Sequence, residues 1–140
     1  MQREKSCGAL VLRHDENGKN YILMIRHKAG GHRSFPKGHM EDGETERETA
    51  LREIREEVGL VQRLIDGFEA VERYPLPRKK DTMKQVTFFL AEYENQEIRF
   101  QKEELRGARL MPYEEALQIF QFENTKDVLK KAHAWLMQNA

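Results

Sequence analysis

Cysteine is almost missing from this 140-residue chain, which has only Cys7. That excludes a disulfide within the chain, and its place in the apolar stretch 7–12 predicts a buried, reduced thiol rather than a nucleophile. Net charge is missing too: 24 Lys and Arg balance 24 Asp and Glu, so no overall field argues for nucleic acid or a membrane surface, and any attraction for an anion must come from local clustering. No apolar run approaches the length of a membrane span, and residues 1–5 lack the apolar core of a signal peptide. Internal repeats, low-complexity tracts and linkers are absent as well. The expectation is one domain over residues 1–140, large enough to bury a core unaided, in a reducing cytoplasm, as a monomer or homodimer.

What the chain does have is patterned sequence. Residues 6–13 and 21–25 read as two strands joined by the turn 15–18. Residues 61–73 and 83–93 give two further strands, 97–100 a short segment, and 107–111 a last strand. A short helix starts at Pro112-Tyr113, and a longer one covers 124–138, where Val128, Leu129, Ala132, Trp135 and Leu136 fall at helical spacing as core contacts. Between the first two strands and the next helix, residues 26–39 place Arg26, His27, Lys28, His32, Arg33, Lys37 and His39 around Gly30 and Gly31. That composition suits phosphate.

The most informative stretch is 38–60. A helix over 45–58 places Leu51, Ile54 and Val58 on one face as an apolar docking stripe, with Thr45 as a cap and Gly59 as a left-handed stop. Glu53, Glu56 and Glu57, at i, i+3 and i+4, crowd a second face. Like charges on one stripe repel, whereas a hard divalent cation such as Mg²⁺ takes several oxygen ligands and removes that repulsion. Glu44 is placed to pair with Arg52, fixing the loop to the helix. A charge run alone would suggest a solvated surface helix. The spacing runs Gly38, five residues, Glu44, seven residues, then Arg52-Glu53-Ile54-Arg55-Glu56-Glu57-Val58-Gly59-Leu60. Seven specified and two apolar positions at fixed spacing arise by chance in a chain of this length less than about once in a million.

This pattern matches every defined position of the Nudix box, and the chain resembles a Nudix hydrolase. The resemblance implies an α/β fold, the Nudix α/β/α sandwich with a mixed central sheet, and hydrolysis of a nucleoside diphosphate linked to another group. It implies Mg²⁺, or Mn²⁺ in its place, held by Glu56 and Glu57, with Glu53 as a third ligand or the base that orients water and the Lys37 backbone carbonyl completing the sphere. Arg52, Glu53 and Glu57 carry over as catalytic positions. A further acid from outside the box is expected at Glu103 rather than Glu104, because residues 97–103 resemble the corresponding part of the small asymmetrical diadenosine tetraphosphate hydrolases. The box entrance Phe35-Pro36-Lys37-Gly38-His39, residues 87–91 and Gln121-Phe122 resemble the same enzymes, implying cleavage of diadenosine tetraphosphate to ATP and AMP.

Within that reading, Arg26, His32, Lys37 and Lys84 are candidates for phosphate oxygens, and Tyr74 and Phe122 for stacking on adenine. Removal of pyrophosphate from the 5′ end of RNA is an alternative that would use the basic loop 78–80 and make nucleic acid a partner. Other pyrophosphatase substrates are a nucleoside triphosphate or an inositol polyphosphate. A catalytically silent nucleotide sensor is the alternative from another class, and the intact Arg52, Glu53, Glu56 and Glu57 argue against it.

Overall fold

In the computed structural model, which describes residues 2–94, 96–120 and 122–139, a mixed sheet is enclosed by helices on both faces. Gln121, expected to continue the resemblance at the end of the cleft, lies outside the described residues. Chain order is β1 (Gln2–His14), β2 (Asn20–His27), β3 (Arg33–Ser34), β4 (Lys37–His39), α1 (Glu46–Val58), β5 (Leu64–Pro75), β6 (Thr82–Glu92), β7 (Leu105–Pro112), α2 (Tyr113–Ile119) and α3 (Glu123–Asn139).

The strand β1 lies at the centre. One edge pairs in parallel with β6 from Gln2↔Thr82 to Leu12↔Glu92. Its other edge is shared, with β4 against residues 6–8 and β2 against residues 12–14. The strand β2 in turn pairs with β3 and β7, and β5 closes the far side of β6.

Strand alternation explains the two layers of core. Leu10, Leu12, Met24, Phe88 and Leu90 face α2 and α3, packing with Phe120, Val128, Leu129 and Ala132. Ala9, Val11, Ile25, Phe89 and Ala91 face α1, packing with Ala50, Ile54 and Val58. Burial on both faces is why β1 and β6 read as nearly continuous apolar runs. Cys7 is free and buried, and burial pushes its thiol up to about 12, so it is a packing group.

The helix α1 starts where its chemistry predicts. The Thr45 hydroxyl accepts from Glu48 N while the Glu48 carboxylate accepts from Thr45 N, a reciprocal capping box, and Gly59 ends the helix in the left-handed region at φ 73°.

Three expectations change. Residues 33–34 and 37–39 form short strands where the sequence reads as loop. Residues 61–63 stay outside the sheet, so β5 begins at Leu64. The segment 97–100 is not a strand. Instead Arg99 N donates to Val58 O and Gln101 N to Glu57 O, both at 2.9 Å, satisfying carbonyls that the end of α1 leaves open. That tie brings the turn 101–104 to the end of the helix that carries Glu57. Among the described residues no helix is long and apolar enough to cross a membrane.

Candidate active site

Arg52 organises the helix face. Its guanidinium donates to Glu44 at 2.6 and 3.1 Å, to Glu53 at 2.8 Å, to Glu56 at 3.1 Å and to the His39 carbonyl at 2.8 Å. The loop before the helix and three carboxylates are thereby held by one cation. The Arg52 side chain is 13% exposed, so these contacts fill most of its surroundings. Its hydrogen bonds hold the Glu44 carboxyl down at about 2. Arg52 is therefore a positioning residue: it aims the acids.

The three glutamates expected on one face have divided. Glu56 lies on the exposed side with Arg52, whereas Glu57 turns inward and is 6% exposed. Glu57 Oε1 accepts from the backbone N–H of Lys37 at 2.9 Å. Burial, and then the neighbouring Glu53 charge, push the Glu57 carboxyl up to about 8, and burial also raises Glu53. Without a cation, both members of this pair are therefore biased toward the protonated form.

Gly38 makes this pair possible. Any Cβ at position 38 would coincide with the Glu53 carboxyl group, so the main chain passes directly beneath it.

Glu57 is buried and Glu53 is partly buried, and burial is the main cause that raises both carboxyls. Their hard oxygens fit a divalent ion that keeps several waters and takes substrate phosphates as further ligands. Glu53 and Glu57 are the side chains that meet. Among the described residues no three His, Cys, Asp or Glu side chains converge to hold a metal, because Glu56 is engaged by Arg52.

Beside this pair is a cleft of about 390 Å³ lined by His32, Arg33, Ser34, Lys37, Glu72, Tyr74, Phe122, Asn124 and Thr125. Four of the six expected substrate contacts, His32, Lys37, Tyr74 and Phe122, meet in it. Lys37 joins the two regions: its side chain lines the cleft and its N–H holds Glu57. Burial lowers the Lys37 ammonium, offset by Glu72 and Glu57. His32 stacks on His27 with centroids 4.1 Å apart. Ser34 Oγ, which donates to Phe35 O, accepts from His27 Nε2, bracing this wall. Burial pushes His27 down to about 4.

Two expected contacts fall elsewhere. Arg26 lines a different cavity. Lys84 is buried opposite Tyr74 in the sheet, where its Nζ donates to Ser6 Oγ at 2.6 Å, so it contributes charge near Lys37 rather than an open contact. The sequence reading missed Glu72, whose Oε1 is buried without a hydrogen-bond partner at the cleft. Period-two alternation places Glu72 on the same face of β5 as Tyr74, a signal that would have found it.

The turn that was expected to supply a further acid at Glu103 offers Glu104 as a second candidate. Both Glu103 and Glu104 are exposed, but Glu104 is the one whose charge acts on Glu57.

Acid side chains on a capped helix beside a cleft that carries Arg33 and Lys37, on an α/β/α sandwich, suit hydrolysis of a phosphate anhydride. The NUDIX domain model matches residues 5–136, and the chain belongs to this family and is a pyrophosphohydrolase. It is 34% identical to the mouse (Mus musculus) asymmetrical bis(5′-nucleosyl)-tetraphosphatase, covering 94% of this chain and 95% of that protein. It is 31% identical to the pig (Sus scrofa) enzyme of the same name, covering 97% of each. The fold superimposes on a crystal structure of a C. elegans Ap4A hydrolase binary complex with a TM-score of 0.87, at 24% identity, covering 96% of this chain and 98% of that one.

Two outcomes follow. Glu57 is raised from about 4.5 to about 8, so the metal-free fold is favoured at low pH and loses stability as pH rises through 8; His27, lowered, acts with the opposite sign only below its unfolded value near 6.5. Between pH 6.5 and 8.5 the melting temperature of the metal-free protein should fall by a few degrees, on the order of 1 kcal/mol or more, and Glu57→Gln should abolish most of that fall. A flat wild-type profile would contradict the buried pair. For the turn, turnover of Glu104→Ala should drop at least about tenfold below that of Glu103→Ala. The reverse order would return the role to Glu103.

Proposed function

We propose that this enzyme hydrolyses diadenosine tetraphosphate to ATP and AMP with Mg²⁺, or Mn²⁺ in its place, in the cytoplasm. The observation that carries this reading is the double role of Lys37: one residue joins Glu57 of the carboxylate pair to a cleft that also has the rings of Tyr74 and Phe122 in its lining. A phosphate chain laid along Lys37 and His32 would bring a phosphorus to Glu53 and Glu57 while a base lies between Tyr74 and Phe122. Phe122 is 61% exposed, so its ring is accessible to a ligand in the cleft. Glu72 Oε1, buried and unpartnered in the same cleft, suits the exocyclic amino group of adenine.

Glu53 and Glu57 would hold the cation, with Glu56 joining them on leaving Arg52. The bound ion would neutralise phosphate charge and lower the pKa of a water molecule. Glu53 would orient an attacking water and accept its proton, Arg52 would fix the acids, and Lys37 and His32 would hold non-bridging oxygens. The RNA alternative loses support at its proposed basic loop, since Lys79 is paired with Glu4 at 3.1 Å.

Incubation with dinucleoside polyphosphates, nucleoside triphosphates, an inositol polyphosphate and triphosphorylated RNA, with products resolved by chromatography, tests the proposal. Diadenosine tetraphosphate should be cleaved fastest, giving equal ATP and AMP; faster turnover of RNA would overturn it. Base stacking is worth about 1–3 kcal/mol, so Tyr74→Leu and Phe122→Leu should each raise KM roughly five- to a hundredfold with the fold intact. Wild-type constants in both would mean that adenine is held elsewhere.

A further inference from the structure

A second cavity, of about 310 Å³, lies at the edge where β3, β2 and β7 meet. Four guanidinium groups line it, those of Arg26, Arg33, Arg106 and Arg109, with carbon from Met24 and Phe100 and no carboxylate. The sheet itself creates this concentration of charge. Arg26 stands opposite Arg33 across the β2–β3 pairing, and opposite Gly107, next to Arg106, across β2–β7. Like charges directly opposite one another destabilise an antiparallel pair.

Among the described residues, a carboxylate relieves only one of the four. Arg109 has Glu115 at 3.1 Å, whereas Arg26, Arg33 and Arg106 form no ion pair among the described residues. Arg26 Nε instead donates to the Gly31 carbonyl at 3.2 Å. A methyl group placed on Gly31 would stand 3.6 Å from Arg106 Nη1 and 3.7 Å from Arg26 Nη2, so the two guanidinium groups converge on one point. Arg33 Nε is buried and has no hydrogen-bond partner. Three convergent, uncompensated guanidinium groups, one with a buried unsatisfied donor, suit a ligand rich in phosphate oxygens, which guanidinium groups bind through paired N–H donors.

We propose that this cavity is an additional binding site for a chain of phosphate groups, held by Arg26, Arg33 and Arg106. Arg33 lines both this cavity and the cleft, so two sources supply the same chemistry: the phosphate chain of the substrate running past Arg33, or a separate polyphosphate anion.

Titration calorimetry with inorganic tripolyphosphate and chelator, on the metal-free full chain, tests the site without turnover and stands whether or not the enzyme cleaves dinucleotides. Arg26→Gln combined with Arg106→Gln should weaken binding at least about tenfold. Neither change should lower the melting temperature in the absence of anion, because each removes repulsion. Arg106→Glu, which pairs with Arg26 internally, should abolish binding and raise the melting temperature. Tripolyphosphate binding within twofold of wild type in these variants would overturn the proposal. The source is read from Arg106→Gln kinetics on the dinucleoside tetraphosphate. A raised KM alongside lost binding identifies the substrate's own phosphate chain, and an unchanged KM alongside lost binding identifies a separate anion.

Discussion

The contact between Arg52 and the carboxylates around it is the interaction on which the rest of the site depends. One guanidinium receives Glu44 from the loop, Glu53 and Glu56 from its own helix and the carbonyl of His39 from β4. Without it, four acidic residues near one helix surface would repel, and the loop that brings Lys37 to Glu57 would have no anchor on this side. With it, the repulsion is concentrated on the one pair that Arg52 does not separate, Glu53 and Glu57. Their protons report the strain: Glu44, bonded to Arg52, is held down at about 2, while buried Glu57 is pushed up to about 8.

That division links fold to chemistry. The apolar face of α1, carrying Ala50, Ile54 and Val58, is seated in the core, so Glu57, next to Val58, is carried inward and desolvated. Burial of an ionisable carboxyl opposes folding. The opposition is local, and a divalent cation held there under the proposed function would relieve it. The cleft follows the same logic on a larger scale. Lys37 offers an ammonium and His32 ring nitrogens beside the acids, and Tyr74 and Phe122 offer flat apolar surface in the same cleft.

Much of this was legible in the residues. The fixed spacing of Gly38, Glu44 and Arg52 specified the loop-to-helix ion pair, Thr45 the cap and Gly59 the stop, because each rests on local geometry. The two faces of β1 and β6 followed from alternation. Less local features were hidden. The two- and three-residue strands β3 and β4 are too short to show a period. The segment 97–100 contains β-forming residues but spends its N–H groups on the end of α1. The division of Glu56 from Glu57 depends on which acid Arg52 engages, and Glu103 and Glu104 occupy one turn whose two directions spacing alone cannot separate. Arg26 was read as a candidate for phosphate oxygens, whereas its closeness to Arg106 was hidden, since that proximity comes from the β2–β7 register.

The central proposal is that Glu57, its carboxyl raised by burial, would take up a divalent cation by giving up a proton. Its most direct test is calorimetric titration of the metal-free enzyme with Mg²⁺ or Mn²⁺ at pH 7 in buffers of different ionisation enthalpy, which counts protons released per ion bound. With Glu57 at about 8, close to one proton should leave per cation, and Glu57→Gln should bind more weakly and release almost none. Tight binding with no proton release in the wild-type protein would contradict the account.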